Sequence, residues 1–378
     1  MSAFLSRKEV QAHMVRPVSF KGFQGVSLRG FRGFQIFLWE LCVCIKYLSL
    51  GDPCAGSGHI LCVLFDVLVN IYEDYGYTAR EAAVSIVQNN LWGLDINDRA
   101  AQLAYFAVMM KARQYDRRFL ARGIQPHVYS VTESNGIDRA AIDAASVAWT
   151  SSEKRAAVLL LNEMMDAKEY GSMLQISGKL SAELSRLPRD FFKCESVFAD
   201  SCDKLRQLCM VAIALAQKYH IVVTNPPYLG SSRFSSKLDA YVKANWPDVK
   251  SDLSMVMYQH AIDDMVLPEG FVSFITTSSW MFLSSFEKMR MHVNSIGTLS
   301  ALVDYGTELF EGKVGHNPIV SWTIRKRHIR KYILTAVRLV DYCYARRDEK
   351  EPQFLSGKNR YVAQQDNFNK IPGAPVAY

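Results

Sequence analysis

Ile221-Val222-Val223-Thr224-Asn225-Pro226-Pro227-Tyr228 is a β-branched run that stops at two consecutive prolines. A run without polar alternation marks a strand covered on both faces, as in a parallel sheet. Proline has no N–H to give to a ladder, so the pair ends the strand and stiffens the turn that follows. Open α/β sheets place their ligands at this end of their strands. There Asn225 projects an amide, and the carbonyls of Asn225 and Pro226 are freed from sheet pairing. Such a turn answers a specific chemical problem. An amino group on a heteroaromatic ring is a poor nucleophile, because its lone pair is delocalised into the ring. Two acceptors, the Asn225 side-chain oxygen and the Pro226 carbonyl, suit its two hydrogens and aim the lone pair at an electrophile. This is positioning and electrostatics, without a strong general base. Tyr228 offers a face on which a base can stack, once that base has left its duplex. The plainer reading is a structural Asn-Pro-Pro turn with a packed tyrosine.

Upstream, Asp52-Pro53-Cys54-Ala55-Gly56-Ser57-Gly58 is a glycine-punctuated loop. Val43–Leu50 before it reads as a strand. His59–Asp74 after it reads as a helix, with Ile60, Leu64, Val67, Leu68 and Ile71 at three- and four-residue spacing. Glycines in such a turn let the backbone approach a ligand and accept positive φ. Gly-x-Gly alone is common, and Asp-Pro ahead of it makes the match narrower. The Asp52 carboxylate suits a cationic or hydroxylated ligand, such as the ammonium of a methionine moiety. No Gly-Lys-[Ser/Thr] follows, so a phosphate-cradling loop is not expected. Gly51 stands where an apolar residue normally precedes the acid, which predicts a loosened strand exit.

Leu91–Leu94 predicts a short strand ending at Asp95, with Asn97 or Asp98 capping a helix over Arg99–Arg113. Asp95 is placed to meet ribose hydroxyls, or else to cap that helix. It lies 43 residues beyond Asp52, where nicotinamide-binding folds use about 20. Phe271–Thr277, Ala301–Asp304 and Pro318–Ile324 read as further strands, and residues 150–190 as helical. Alternating strands and helices predict a doubly wound α/β sheet. The last stretch, 345–378, rich in charge, Asn, Gln and Pro, reads as loop. Residues 1–40 show no clear period.

Half of the 378 residues are apolar, which predicts a packed core and excludes a disordered chain. No membrane span is expected, since the run Phe34–Leu50 is broken by Glu40 and Lys46. The N-terminus lacks the pattern of a signal peptide, and a cytoplasmic location follows as the expectation. Eight cysteines show no paired zinc spacing. Cys42-x-Cys44 reads as two thiols near a strand, and no metal site is expected. The net charge of +7 is uneven. Residues 1–50 carry seven Lys/Arg and two Asp/Glu, and residues 325–378 carry twelve and five. Basic flanks suit phosphate contact, though ordinary solvated surface explains them equally.

Asp-Pro-x-x-Gly-Ser-Gly, a later acid and then Asn-Pro-Pro-Tyr together resemble the N6-adenine DNA methyltransferases. More narrowly, the chain resembles the PglX-like methyltransferases of BREX phage-defence systems. The likeness rests on Gly58–Leu61, Asn89–Ile96, Asp98–Leu103, Val223–Tyr228, Ser279–Phe286 and Phe368–Gly373, and covers about residues 50–378. It implies a Rossmann-like class I methyltransferase sheet with helical insertions, and S-adenosylmethionine as methyl donor. It implies that Asp52, Pro53, Ala55, Gly56, Ser57 and Gly58 hold the methionine part of that cofactor. Asp95 and Ile96 would meet its ribose and adenine, with Glu133 toward the adenine end. Asn225, Pro226, Pro227 and Tyr228 would be catalytic. The implied partner is double-stranded DNA with its target adenine flipped out, together with other proteins of a defence system.

The implied organisation is an unassigned basic segment over 1–45 and a catalytic domain over 46–330, with a helical insertion at about 140–190. A C-terminal region beginning at 331 would be cut short at Tyr378. No Thr-Pro helix of the family's kind precedes the first strand. Two alternatives stay open: an inactive remnant that serves as a binding or assembly module, and a methyltransferase for protein glutamine or an RNA amine.

Overall fold

The computed structural model describes residues 45–188, 191–310 and 317–378. Cys42, Cys44 and the rest of the basic N-terminal segment before Ile45 lie outside the described residues. The strands are β1 (Leu50–Asp52), β2 (Leu91–Asp95), β3 (His127–Ser130), β4 (Tyr219–Thr224), β5 (Val266–Thr277), β6 (Thr298–Gly306), β7 (Ile319–Arg325), β8 (Ile333–Arg338) and β9 (Arg360–Gln364). They form one sheet in the order β3-β2-β1-β4-β5-β7-β6-β8-β9. From β3 to β5 all pairings are parallel. β7 runs antiparallel between β5 and β6. This is the Rossmann-like sheet that the sequence implied.

Helices cover both faces: α1 (His59–Asp74), α2 (Ala79–Ser85), α3 (Asp98–Tyr115), α4 (Arg139–Ala145), α5 (Ser151–Glu163), α6 (Ala167–Tyr170), α7 (Gly178–Leu184), α8 (Ala199–Ala216), α9 (Ser236–Asn245), α10 (Leu253–His260), α11 (Glu287–Ile296) and α12 (Lys350–Ser356). β4 shows why its run is apolar throughout. Val222 packs with α10 and β5 residues on one face, while Ile221 and Val223 pack with α1 residues on the other. The helices α4, α5 and α7 share a separate core with α8, built on Trp149, Leu160, Phe192 and Leu205.

Three local expectations change. The first strand is Leu50–Asp52, preceded by a 3₁₀ turn at Ile45–Tyr47, so Ile45–Ser49 is not part of it. Gly51 does not loosen the strand exit. It pairs with Trp92 on one side and Val222 on the other. A Cβ there would stand 3.0 Å from the Tyr219 ring, so the bare backbone makes room for that buried tyrosine. Finally, 345–378 is not loop alone. It supplies α12 and β9, and β9 joins the sheet beside β8.

Candidate active site

The two sequence motifs meet because β1 and β4 are sheet neighbours. Gly51 lies in register with Val222, so Asp52 and Thr224 leave the sheet side by side. Thr224 Oγ1 donates to Asp52 Oδ1 at 2.6 Å, and the Cys54 N–H donates to the same oxygen at 3.1 Å. Asp52 is only 1 % exposed, and its Oδ2 is buried with no hydrogen-bond partner. Burial pushes its carboxyl up to about 7, against the hydrogen bonds from Thr224 and Cys54 and with a smaller push from the Asp95 charge. A buried acceptor without a donor invites a cation or a donor from a ligand.

The loop after β1 is shaped by its glycines. Gly56 adopts φ 53° and gives its N–H to Asp95 Oδ2 at 2.8 Å. Gly58 adopts φ 85° at the start of α1, and a Cβ there would lie 2.9 Å from the Ala104 Cα. The N–H of Gly58 closes a turn on the Ala55 carbonyl at 2.8 Å, and the Ala55 N–H donates to the Leu94 carbonyl at 2.8 Å. Ser57 Oγ lies 2.8 Å from His59 Nδ1. Asp95 Oδ1 accepts from the Asn97 N–H at 2.8 Å, and Asn97 caps α3. The two carboxylates thus bracket the loop. Ile96 follows, 49 % exposed, an apolar surface open to a planar ligand. Glu133 stands half-buried beyond β3. Among the described residues, no hydrogen bond joins it to Asp52 or Asp95.

Pro226 is buried, while Asn225 and Pro227 are exposed. The Tyr228 hydroxyl donates to Asn225 Oδ1 at 2.8 Å and approaches the Ile275 carbonyl at 3.3 Å. An amide oxygen has two lone pairs, so Asn225 keeps one for a ligand. Burial, with the nearby Asp252, raises the Tyr228 phenol, which therefore stays a neutral donor. The turn is anchored by its far end. The Leu253 N–H donates to the Leu229 carbonyl at 2.9 Å, and the Ser231 N–H to the Ser251 carbonyl at 3.0 Å. Asp252 caps α10 through the Ser254 N–H at 2.8 Å.

The sequence did not single out Thr224 or Ser172, and it offered Asp98 only as a helix cap. Ser172 Oγ donates to the Pro53 carbonyl at 2.7 Å from 119 residues away. Asp98 Oδ1 accepts from Ser130, and both its carboxylate oxygens accept from Lys168 at 3.0 Å. Lys168 lies on α6 and Ser172 in the 3₁₀ turn that follows it, so the helical insertion walls this side of the sheet edge. Thr224 lies within the decisive stretch, but its role needs the strand order. Ser172 carries no local signal.

Residues 89–310 match the Eco57I restriction-modification methylase family. The chain belongs to that family. It is similar to the adenine-specific methyltransferase BrxX of Escherichia coli O9:H4 (strain HS), at 34 % identity over 361 residues. That match covers 86 % of this chain and 29 % of the relative. It is also similar to the adenine-specific methyltransferase PglX of Lacticaseibacillus casei (strain Zhang), at 32 % identity over 357 residues. Here 88 % of this chain and 28 % of the relative are covered. The PglX-type likeness read from the motifs therefore holds, and the chain spans under a third of the length of both methyltransferases. Among solved structures, a DrdV–DNA complex shares the fold, with TM-score 0.52 at 13 % identity over 89 % of this chain and 29 % of DrdV.

Proposed function

We propose that this chain binds S-adenosylmethionine along the loop after β1 and transfers its methyl group to N6 of an adenine in duplex DNA, as part of a phage-defence or modification system. The observation that carries this reading is the Thr224–Asp52 hydrogen bond of 2.6 Å. It joins the residue before Asn225 to the acid that opens the glycine loop, and so fixes the spacing of two half-sites.

When bound, S-adenosylmethionine supplies an electrophilic methyl group on sulfur. The residues fit that cofactor. Asp52 Oδ2 is an acceptor without a partner in a dry site, suited to the ammonium of the methionine part. Gly56 leaves open space where a Cβ would stand. Asp95 is set to accept from ribose hydroxyls, and Ile96 to lie against the cofactor's adenine. Glu133 is assigned to the adenine end on the family likeness alone. At the other half-site, Asn225 Oδ1 and the Pro226 carbonyl accept from the two N6 hydrogens and draw the nitrogen lone pair out of the ring. Tyr228 braces Asn225 through its hydroxyl and presents its ring to the extruded base. The proton lost on methylation passes to water, since no strong base stands among Asn225–Tyr228. Other proteins of the defence system are natural partners of such an enzyme. The names of the relatives, adenine-specific methyltransferases, support the choice of adenine.

The test is transfer of tritiated methyl groups to unmethylated genomic DNA. Asn225→Ala is expected to lower turnover by about 10²-fold or more, the usual effect of removing one preorganised polar group. Its cofactor affinity, measured by calorimetry, should stay near that of the parent. Transfer that survives the substitution refutes the role given to Asn225. Absence of any cofactor binding refutes the whole reading.

A further inference from the structure

Phe282 is 59 % exposed and Leu283 45 % exposed, on a segment that the proposed site does not use. They follow β5 and a single 3₁₀ turn, Ser278–Met281. β5 ends beside β4, with Phe274 in register with Thr224, and Tyr228 reaches the Ile275 carbonyl. The two apolar side chains therefore stand on the same edge of the sheet as Asn225–Tyr228.

The tip is braced. Arg290 on α11 is only 2 % exposed, and its guanidinium donates only to carbonyls. Nη1 reaches those of Trp280 at 2.8 Å and Leu283 at 2.7 Å. Nε reaches those of Gly373 and Ala374, each at 3.1 Å. The Leu283 N–H donates to the Ser279 carbonyl at 3.0 Å, and the Val376 N–H to the Met281 carbonyl at 2.8 Å. Arg290 thus ties Ser279–Phe286 to the Phe368–Gly373 segment, which are two of the motifs that carry the family likeness. A braced backbone that holds a phenylalanine and a leucine in water loses the free energy of burying them, and such exposure marks a contact surface. Ser284 and Ser285 beside them are exposed as well. No Asp or Glu occurs from Phe271 to Phe286, so no carboxylate of this segment repels a phosphate.

Resting on the function proposed above, we infer that Phe282, flanked by Leu283, enters the base stack of duplex DNA and fills the gap left by the extruded adenine. Apolar side chains wedge between base steps in this way, and an aromatic ring recovers stacking that the departed base gave up. The hydroxyls of Ser284 and Ser285 suit sugar–phosphate contacts beside the wedge.

The experiment begins by mapping the methylated adenine in DNA treated with the full chain. Two duplexes are then built on that site, one with the adenine paired to thymine and one with an abasic position opposite it. Phe282→Ala is expected to lose about tenfold in kcat/KM on the paired duplex, because the wedge no longer offsets unstacking. On the abasic duplex, where extrusion costs little, it should come within about twofold of the parent. Phe282→Trp should keep activity on both. Cofactor affinity and thermal midpoint should not move, since the side chain is exposed. An equal loss on both duplexes, or no loss on either, overturns the wedge while leaving the methyltransferase reading intact. A parent chain that methylates no DNA overturns that reading, and the wedge with it.

Discussion

Asp52 is the residue at which folding and binding pull against each other. Its carboxyl sits at about 7 in the folded chain, chiefly through burial, against an ordinary value of 3.8. Between those values the folded state binds more protons than the unfolded one, so stability falls as pH rises through that window and stays lowered above it. The full effect is on the order of a few kcal/mol. Asp52→Asn is therefore expected to unfold at a higher temperature than the parent near pH 8, with the gap closing toward pH 5. The same carboxyl has to be ionised to meet an ammonium, so binding S-adenosylmethionine should release a proton. Affinity should fall toward about tenfold per pH unit below pH 7. Calorimetry in two buffers of different ionisation heat checks both points, and an affinity that is flat from about pH 5.5 to 8 would remove Asp52 as the ammonium's partner. The sequence showed Asp52 as a strand-end acid. Its dryness was hidden there, because that depends on Thr224 and Ser172 closing over the loop from distant parts of the chain.

At the scale of elements, the junction between β1 and α1 rests on close approach to α3. Gly58→Ala would force a positive φ on alanine and put its Cβ into the Ala104 backbone. A loss of about 1–3 kcal/mol in stability is expected, read as a lower thermal midpoint. Gly56→Ala meets no atom within 4 Å, so it should cost less stability and more cofactor affinity. A midpoint equally depressed in both variants would contradict this division. How far the elements were legible follows from the same forces. The helix His59–Asp74 was plain because its apolar residues keep one phase along a single buried face. Val43–Leu50 reads as a strand because it is apolar, and an apolar run alone does not distinguish a strand from the 3₁₀ turn that Ile45 begins. β9 was missed because its residues are largely exposed. It is a strand by virtue of pairing with β8, not by propensity. The Asp52 loop and the Asn225 turn were legible because prolines and glycines act locally. Their contact was not, because it depends on which strands are neighbours.

At the scale of the molecule, the question is whether the residues past 331 belong to the same folding unit as the site. The family likeness implies a division there, and the packing argues against one. Leu334 and Ala336 of β8 are fully buried in the core that holds Trp322 and Leu302. The Gln365 side chain accepts from the Leu299 N–H at 2.8 Å and donates to the Gly297 carbonyl at 2.9 Å. The Tyr378 hydroxyl donates to Asp304 Oδ2 at 2.7 Å, and Gly373 and Ala374 supply two of the carbonyls that satisfy Arg290. Removing residues 332–378 would strip one edge of β6, open its apolar face and leave a buried guanidinium short of acceptors. Each of these is a recognised cause of severe destabilisation, and together they should exceed about 4–5 kcal/mol, a large part of what a domain has. The unpaired edge would also invite association between chains. A chain ended at Lys331 is therefore expected to elute as aggregate on size exclusion and to show no cooperative thermal transition. If it were instead monomeric, cooperative and able to bind S-adenosylmethionine, the last 47 residues would be an appendage, and the bracing of Phe282 through Arg290 would have to be carried by Trp280 and Leu283 alone.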